Sequence, residues 1–238
     1  MADIHSFESM AAVDGKGLRY ALFFTSCPLR CIYCHNPDSW QKSGNDYSAE
    51  EIFNKVKRYK PYFKNGGGVT FSGGEPLLHA NFINEIYPML KSESITYTLD
   101  TSGSVDLTND VKDALLHADL VILDIKFHSP YDYSKYCGGD FDKFMNVGRF
   151  CTQNNIALWL RTVIVPGIND KKSDIDKYLE LTKDFNYEKY ELLPFHTMGF
   201  FKYEKLNIDN PLSDCPPLDQ KKLLELQNYL NNSIKANK

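Results

Sequence analysis

Short runs of apolar, β-branched and aromatic residues alternate along the chain with longer segments in which apolar residues recur at helical spacing. The short runs predict six strands, at residues 18–24, 69–71, 96–99, 120–123, 157–165 and 190–193. The longer segments predict helices at residues 48–63, 81–90, 110–117, 141–153, 173–184 and 218–234. This alternation is typical of βα units with a parallel sheet.

Individual residues mark some of these helix boundaries. Ser48 is followed three residues later by Glu51, which is the pattern of a capping box at the start of a helix. Pro88 lies inside the second helical segment. Because proline lacks the amide proton of a helical hydrogen bond, we expect that helix to be interrupted or shortened there.

Six βα units, rather than the eight of a complete barrel, predict an α/β fold with a partial, TIM-like (β/α)6 barrel that is open on one side. Polar side chains follow most of the predicted strands, namely a cysteine-rich loop, Glu75, Asp100, Asp124, Lys126 and His196. Because the carboxyl ends of parallel strands share one face of a barrel, we expect the chemistry there. No repeat, low-complexity tract or linker divides the sequence, so we expect one domain over residues 1–238.

Bulk properties narrow the classes of function. The chain has 238 residues, of which 42% are hydrophobic, and a formal net charge of −4, with no run rich in Lys and Arg. These values argue against a nucleic-acid-binding protein and favour a small molecule or another protein as the partner. The amino terminus lacks the pattern of a secretory signal, and the apolar runs are too short to span a bilayer. We therefore expect a cytoplasmic protein with no membrane partner, in which cysteines stay reduced.

Three of the six cysteines, Cys27, Cys31 and Cys34, lie within eight residues at the spacing C-x3-C-x2-C. A single free cysteine usually behaves as a small buried hydrophobe, but three thiolates on one short loop indicate ligands for an iron–sulfur cluster, zinc or copper(I). Three ligands leave one coordination position for a substrate or cofactor. We interpret the remaining cysteines as structural, namely Cys137, Cys151 and Cys215.

Two other metal sites fit parts of the same loop. His35 would complete a Cys3His zinc site, although the side chains of adjacent residues such as Cys34 and His35 rarely converge on one ion. The segment Cys31-Ile32-Tyr33-Cys34-His35 also spells C-x-x-C-H, the attachment motif of c-type haem, but haem would leave Cys27 without a role. The residues alone therefore favour a cluster over zinc, and zinc over haem.

The loop resembles the signature of the radical S-adenosylmethionine (SAM) enzymes, in which an aromatic residue, here Tyr33, precedes the last cysteine. Further segments resemble the pyruvate formate-lyase activating enzymes, a family of glycyl radical enzyme activases within that group. They run in order from about residue 5 to residue 196 and include Ser72-Gly73-Gly74-Glu75, Leu99-Asp100-Thr101, Leu123-Asp124-Ile125-Lys126 and Leu192-Leu193-Pro194-Phe195-His196.

The resemblance implies a set of site residues. Cys27, Cys31 and Cys34 would hold a [4Fe–4S] cluster, and SAM would chelate its fourth iron. The residues implied to lie against SAM, or against a monovalent cation near its carboxylate, are Tyr33, His35, Gly74, Asp100, Thr101, Asp124, Ile125, Lys126 and His196. Taken singly, these residues have ordinary explanations too. The aspartates fit helix N-caps, the glycine pair a turn, the lysine a solvated side chain and the histidine a structural group.

The family also implies a reaction. Reduced flavodoxin or ferredoxin supplies one electron, SAM is cleaved to methionine and a 5′-deoxyadenosyl radical, and that radical removes a hydrogen atom from a glycine of pyruvate formate-lyase. We therefore expect an oxidoreductase, a monomeric [formate-C-acetyltransferase]-activating enzyme of anaerobic metabolism. The alternatives are a radical SAM enzyme that modifies another glycyl radical enzyme, a peptide or a small molecule, and a non-enzymatic zinc or iron–sulfur carrier.

Overall fold

The computed structural model describes residues 1–236 and contains one eight-stranded sheet within them. Its strands are β1 (Ala2–Ala11), β2 (Arg19–Phe24), β3 (Asp46–Tyr47), β4 (Gly68–Gly73), β5 (Thr96–Thr101), β6 (Leu120–Asp124), β7 (Leu158–Ile164) and β8 (Lys189–Pro194). Its α-helices are α1 (Ala49–Lys57), α2 (Ala80–Ser92), α3 (Asn109–His117), α4 (Pro130–Cys137), α5 (Phe141–Gln153), α6 (Lys172–Leu181), α7 (Phe200–Leu206) and α8 (Gln220–Ala236). Short 3₁₀ helices lie at Pro37–Trp40, Lys60–Tyr62 and Pro76–His79.

The sheet has the topology of a partial barrel. Its strand order is β3-β1-β2-β4-β5-β6-β7-β8, and β2 and β4 to β8 run parallel to one another. β1 pairs antiparallel with both β2 and β3. β3 and β8 form the two edges, so the barrel is open between them. The six predicted βα units and the open (β/α)6 architecture are confirmed.

The buried surfaces follow the predicted pattern. Residues Leu120–Leu123 of β6 are all buried, as expected for a parallel strand covered on both faces. The helices are amphipathic; the buried stripe of α2, for example, comprises Phe82, Ile83, Ile86 and Leu90. Within residues 1–236, no helix combines the length and the apolar character that crossing a lipid bilayer requires.

Four elements were not predicted from the sequence: β1, β3, α4 and α7. The register of β1 against β2 shifts between Ile4 and Ser6 and again between Ser9 and Ala11, so its side chains do not alternate regularly between core and solvent. β3 has only two residues. The signals of α4 are present in the sequence, because Ser129 caps its start and Pro130 occupies its first turn.

Two predicted helix boundaries were wrong. The capping box of Ser48 and Glu51 is confirmed, but α1 ends at Lys57 and gives way to the separate 3₁₀ helix. The expectation that Pro88 interrupts or shortens its helix is contradicted, since α2 continues to Ser92. Pro88 is exposed, and buried residues on both sides of it hold the helix on the core, which outweighs the lost hydrogen bond.

The loop between β1 and β2, residues 12–18, packs against side chains of the barrel interior. Arg161 of β7 donates a hydrogen bond to the carbonyl oxygen of Val13. Thr70 of β4 donates one to the carbonyl oxygen of Asp14 at 2.7 Å. Gly15 has a φ of +137°, which favours glycine, and a Cβ there would lie 3.0 Å from Thr98 Oγ1.

The free edge of β8 is capped by one side chain of α8. The Leu192 amide donates to Gln227 Oε1 at 2.8 Å, and Gln227 Nε2 donates to the Tyr190 carbonyl at 3.1 Å. A single carboxamide thus occupies one donor and one acceptor that an edge strand otherwise leaves unpaired. This contact fixes α8 to the edge of β8.

Replacing Gln227 with alanine is expected to lower the free energy of unfolding by about 1–2 kcal/mol, because two hydrogen bonds to the β8 backbone are lost. Urea denaturation measures the change. Asn228→Ala, at an exposed position on the same helix, is the control and is expected to stay within about 0.5 kcal/mol of the original protein. Equal stability of the Gln227 and Asn228 variants would contradict a capping role.

Candidate active site

A cavity of about 220 Å³ lies at the carboxyl ends of the parallel strands, where the polar strand ends were predicted to meet. It is lined by residues that follow β2, by the ends of β4, β5 and β6, and by Val163 of β7. Most of the predicted site residues are among its lining, namely Cys27, Cys31, Tyr33, Cys34, His35, Gly74, Asp100, Asp124 and Lys126.

Three predicted site residues lie outside that lining. Thr101 is buried and donates a hydrogen bond from its hydroxyl to Glu75. Ile125 is fully buried, and its amide donates to the Arg161 carbonyl at 2.7 Å. His196 packs edge-on against His35 with 4.3 Å between ring centroids. Within the described residues its buried Nδ1 has no hydrogen-bond partner.

The cysteine loop, the segment after β2 that contains Cys27, Cys31 and Cys34, begins where the backbone after β2 packs closely against the backbone after β4. Ser26 has a φ of +68°, and its carbonyl accepts a hydrogen bond from the Glu75 amide at 2.9 Å. A Cβ on Gly74 would lie 2.1 Å from the same Ser26 oxygen, which no real Cβ tolerates. Glycine at 74 is therefore required for the loop after β4 to approach Cys27 this closely.

The Glu75 side chain connects this packed segment after β4 to the end of β5. It is fully buried and accepts hydrogen bonds from the Ser102 amide at 2.9 Å and the Leu77 amide at 3.1 Å, as well as from the hydroxyls of Thr101 and Ser102. Burial raises the pKa of Glu75, and the bonds from Ser102 and Thr101 oppose that rise. Its predicted position at a strand end is confirmed, but its contacts are with the scaffold rather than with open space.

Helix α7 holds the other end of the cysteine loop. Tyr203 donates from its hydroxyl to the Cys34 carbonyl at 2.9 Å. Lys202 Nζ lies 2.7 Å from Asn36 Oδ1 and 3.0 Å from Asp38. A Cβ on Gly199, the residue before α7, would lie 2.4 Å from the His35 carbonyl. The loop is therefore fixed from the far end of the sequence by close backbone packing and by polar contacts.

Burial disfavours the ionised form of all three loop thiols. It raises the pKa of Cys27 to about 12 and that of Cys34 to about 11. The neighbouring Cys137 thiol, together with burial, raises the pKa of Cys31 well above its usual range. The Lys126 ammonium opposes each of these shifts. Three thiolates are stable here only when cations compensate their charge, which is the condition that bound iron meets.

Lys126 and Asp124 form an ion pair inside the cavity, with 2.6 Å between Nζ and Oδ2. Burial alone would lower the pKa of Lys126, but the Asp124 carboxylate raises it well above the ordinary value, so the ammonium stays charged. The exposed fractions of the two side chains are 16% and 26%. A cation held at this depth is suited to pair with a carboxylate of a bound molecule.

Asp100 lies beside this pair. Its Oδ2 accepts a hydrogen bond from the Ser72 hydroxyl at 2.9 Å, and its Oδ1 is 3.7 Å from Nη1 of Arg161. Burial raises the pKa of Asp100 to about 6, although Arg161 lowers it and Asp124 raises it further. A carboxyl group that changes charge so near neutrality is sensitive to any cation or ligand that enters the cavity.

The cavity also contains residues to which the sequence analysis gave no role: Leu29, Asn36, Ser39, Trp40, Ser72, Gly73, Ser102 and Val163. Ser72 had a usable signal, because it directly follows a predicted strand. Trp40 lies in the 3₁₀ helix Pro37–Trp40, which the sequence analysis did not predict. Such positions depend on packing between distant segments, which the hydrophobic periodicity of the sequence cannot predict.

Comparison with protein families matches residues 22–181 to the model described as the Radical SAM superfamily. That match covers more than half of the chain and includes the cysteine loop. The chain belongs to the radical SAM superfamily. Its cofactors are accordingly a [4Fe–4S] cluster and SAM.

Similarity to curated proteins is stronger and extends over nearly the whole chain. The chain is 44% identical to the pyruvate formate-lyase-activating enzyme of Clostridium pasteurianum over 97% of both proteins. It is 40% identical to the enzyme of that name from Staphylococcus epidermidis, over 96% of this chain and 94% of the relative. Within the radical SAM superfamily it therefore belongs to the family of pyruvate formate-lyase-activating enzymes.

Solved structures share the fold at low sequence identity. A domain of a pyruvate-formate lyase-activating enzyme from Bacteroides vulgatus aligns with a TM-score of 0.55 at 19% identity, over 70% of this chain and 94% of that one. Streptococcus suis SuiB bound to S-adenosylmethionine aligns with a TM-score of 0.68 at 13% identity, over 89% of this chain. The chain spans just under half of the length of SuiB. These likenesses support the radical SAM type of partial barrel.

The side chains of the cavity fit the cofactors of a radical SAM enzyme. Three soft sulfur ligands line one cavity with a buried ammonium and carboxylates. Among residues 1–236, no three His, Cys, Asp or Glu side chains converge closely enough to hold one metal ion. The family match to the radical SAM superfamily replaces the zinc and haem alternatives.

Stability of the iron-free protein is expected to depend on the Asp100 carboxyl. Because its pKa of about 6 in the folded state exceeds the ordinary value of 3.8, the folded protein holds this proton more tightly than the unfolded chain does. The contribution of this proton to the free energy of unfolding is complete below about pH 4 and is lost as the pH rises through 6. Relative to Asp100→Asn, the free energy of unfolding of the original protein should fall by about 2 kcal/mol between pH 4 and pH 7.

Urea denaturation at four pH values under reducing conditions measures this difference. Asp106→Asn, which removes an exposed carboxylate, is the matched control and should follow the pH dependence of the original protein. Parallel stability curves for the Asp100 variant and the original protein would show that the Asp100 carboxyl has no raised pKa.

Proposed function

We propose that this chain activates a glycyl radical enzyme, and that its target is pyruvate formate-lyase. One observation carries the proposal. Three cysteine thiols and the Lys126–Asp124 pair line a single cavity, in a chain 44% identical over 97% of its length to an enzyme named for this activity. Cys27, Cys31 and Cys34 are the proposed ligands of the cluster.

The remaining predicted residues are the proposed binding site for SAM. Lys126 is suited to pair with the SAM carboxylate, since its charge is maintained in the cavity by Asp124. The backbone at Gly74 can approach a ligand closely and contacts the SAM amino group in our proposal. The residues proposed to surround the rest of SAM, or a monovalent cation near its carboxylate, are Tyr33, His35, Asp100, Thr101, Asp124, Ile125 and His196.

The chain's own residues bind and orient, and the cofactors carry the difficult chemistry. When bound, the cluster and SAM supply reductive cleavage of SAM to methionine and a 5′-deoxyadenosyl radical, which takes a hydrogen atom from a glycine of the partner. The opening of the barrel between β3 and β8 suits a target segment that enters from the side. Reduced flavodoxin or ferredoxin is the proposed electron donor.

Two organisational features belong to the same proposal. The proposed organisation is a single radical SAM domain for the sequence 1–238; it is supported by a family match that begins in β2 and by relatives that align over nearly the whole chain. The proposed location is the cytoplasm, where reduced electron carriers and free thiols coexist.

The direct test is formation of a glycyl radical. The reconstituted protein is incubated anaerobically with pyruvate formate-lyase, SAM and a reductant, and the radical is recorded by electron paramagnetic resonance (EPR). We expect a stable glycyl radical signal with the original protein and with Cys215→Ala, and none with Cys27→Ala, which lacks a proposed cluster ligand. SAM cleavage without any radical on pyruvate formate-lyase would contradict the proposed target.

The role of Lys126 predicts a change in SAM affinity. Lys126→Met removes the buried cation but keeps a side chain of similar length, so the dissociation constant for SAM should rise at least about tenfold. Isothermal titration calorimetry of the cluster-loaded protein gives this constant. Lys143→Met removes a lysine from the Asp106 ion pair, away from the cavity lining, and should leave it unchanged. An unchanged constant for Lys126→Met would refute the proposed pairing.

A further inference from the structure

Arg30 is an exposed residue of the cysteine loop that directly precedes the buried Cys31. The carboxyl end of α4 holds its backbone, because the Arg30 amide donates a hydrogen bond to the Cys137 carbonyl at 2.7 Å. Two residues further on, the Ile32 amide donates to the Tyr136 carbonyl at 2.9 Å. The Arg30 side chain therefore starts from a fixed position between the first two cysteines of the motif.

The guanidinium of Arg30 turns back onto the loop. Its Nη1 donates hydrogen bonds to the carbonyl oxygens of Cys27 at 2.8 Å and Leu29 at 2.7 Å. A guanidinium carries five N–H groups in a rigid plane, so one nitrogen can serve two acceptors. These two bonds fix the backbone turn that carries Cys27.

The same guanidinium packs on the ring of Trp40, with 4.9 Å between Cζ and the ring centroid. This is the distance of a cation–π interaction. Trp40 ends the 3₁₀ helix that follows the last cysteine of the motif, and it lines the active-site cavity. The Arg30 side chain thus connects the start of the cysteine loop to the segment after it, and its charge lies one aromatic side chain away from the cavity.

The positive charge of Arg30 has no carboxylate partner in the part of the chain that the structure describes, since its contacts are two carbonyls and an aromatic ring. Asp38 is the acidic residue nearest to it in the sequence. Asp38 pairs instead with His5 at 3.1 Å and with Lys202 at 3.0 Å. Because neither a carbonyl nor an aromatic ring carries a formal charge, the charge of Arg30 stays uncompensated beside the cysteines.

We propose that Arg30 is a positioning residue of the cluster, which fixes the turn that carries Cys27 and raises the reduction potential through its uncompensated charge. Reduction adds one electron, and therefore one negative charge, to the cluster and its thiolates. A fixed positive charge nearby stabilises the reduced state more than the oxidised state. Net charge is one of the factors that set cluster potentials. Since the guanidinium is exposed, dissolved salt screens this effect.

The inference rests on the proposed function, because it requires the cysteines of the loop to be the cluster ligands. Arg58 provides a matched comparison. It is an exposed arginine at the C-cap of α1, outside the cavity lining. Its replacement by glutamine changes the net charge of the protein by the same amount as Arg30→Gln, so an effect of net charge alone would appear in both variants.

The test is a potential-poised EPR titration of the full-length, anaerobically reconstituted protein, with iron content measured for each variant. At low ionic strength and a fixed potential, Arg30→Gln should lower the ratio of reduced to oxidised cluster by about three- to tenfold, where tenfold equals 59 mV for a one-electron couple. The difference should shrink at about 1 M salt, where the Debye length is about 3 Å. Arg30→Lys keeps the charge and should stay within about twofold of the original ratio. Arg58→Gln should leave the ratio unchanged.

The outcomes separate this inference from the proposed function. If the original protein assembles no cluster, the proposed function fails. If it does, and Arg30→Gln binds full iron at the original potential, or at a lowered potential that salt does not affect, only the role of Arg30 fails. Should Arg30→Gln bind no iron, the lysine variant decides. Full iron at the original potential supports the inference, whereas a lowered potential, or loss of iron in both variants, overturns it.

Discussion

Compensation of buried charge is the constraint on which the active face depends. The parallel strands bring thiols, carboxylates and one ammonium into a single small cavity. Burial by itself opposes the charged form of each of these groups. Lys126 stays charged because Asp124 lies 2.6 Å away, whereas the three thiols gain a stable negative charge only with iron. The cavity is thus suited to a metal group that brings positive charge to the thiols and to a ligand whose carboxylate pairs with Lys126.

The cysteine loop gains its shape from distant parts of the chain. Glu75 and Gly74 hold its start against β2, Tyr203 of α7 bonds to its end, and α4 fixes the middle. These contacts place the three sulfurs before any metal binds, so less of the binding free energy is spent on ordering the loop. They also explain why two helices that contribute no predicted ligand matter to the site.

The sequence analysis recovered the parts of the molecule that local pattern determines. Short apolar runs located all six parallel strands, and polar residues after them located the cavity, since strand polarity forces those ends together. It missed β1, whose bulges disrupt the two-residue alternation, and α7, whose short sequence has no capping residue. The backbone hydrogen bonds between the end of α4 and the cysteine loop could not be predicted, because they depend on how α4 docks. Pro88 showed that tertiary packing overrides a local helix breaker.

The central claim is that the cysteine loop holds a cluster with one iron open to SAM, beside Lys126. The most direct measurement is EPR of the anaerobically reconstituted and reduced protein, recorded with and without SAM. The account predicts a [4Fe–4S]⁺ signal whose shape changes when SAM is added, because SAM binds the open iron. A signal that SAM leaves unchanged, or a zinc-bound protein without any cluster signal, would contradict it.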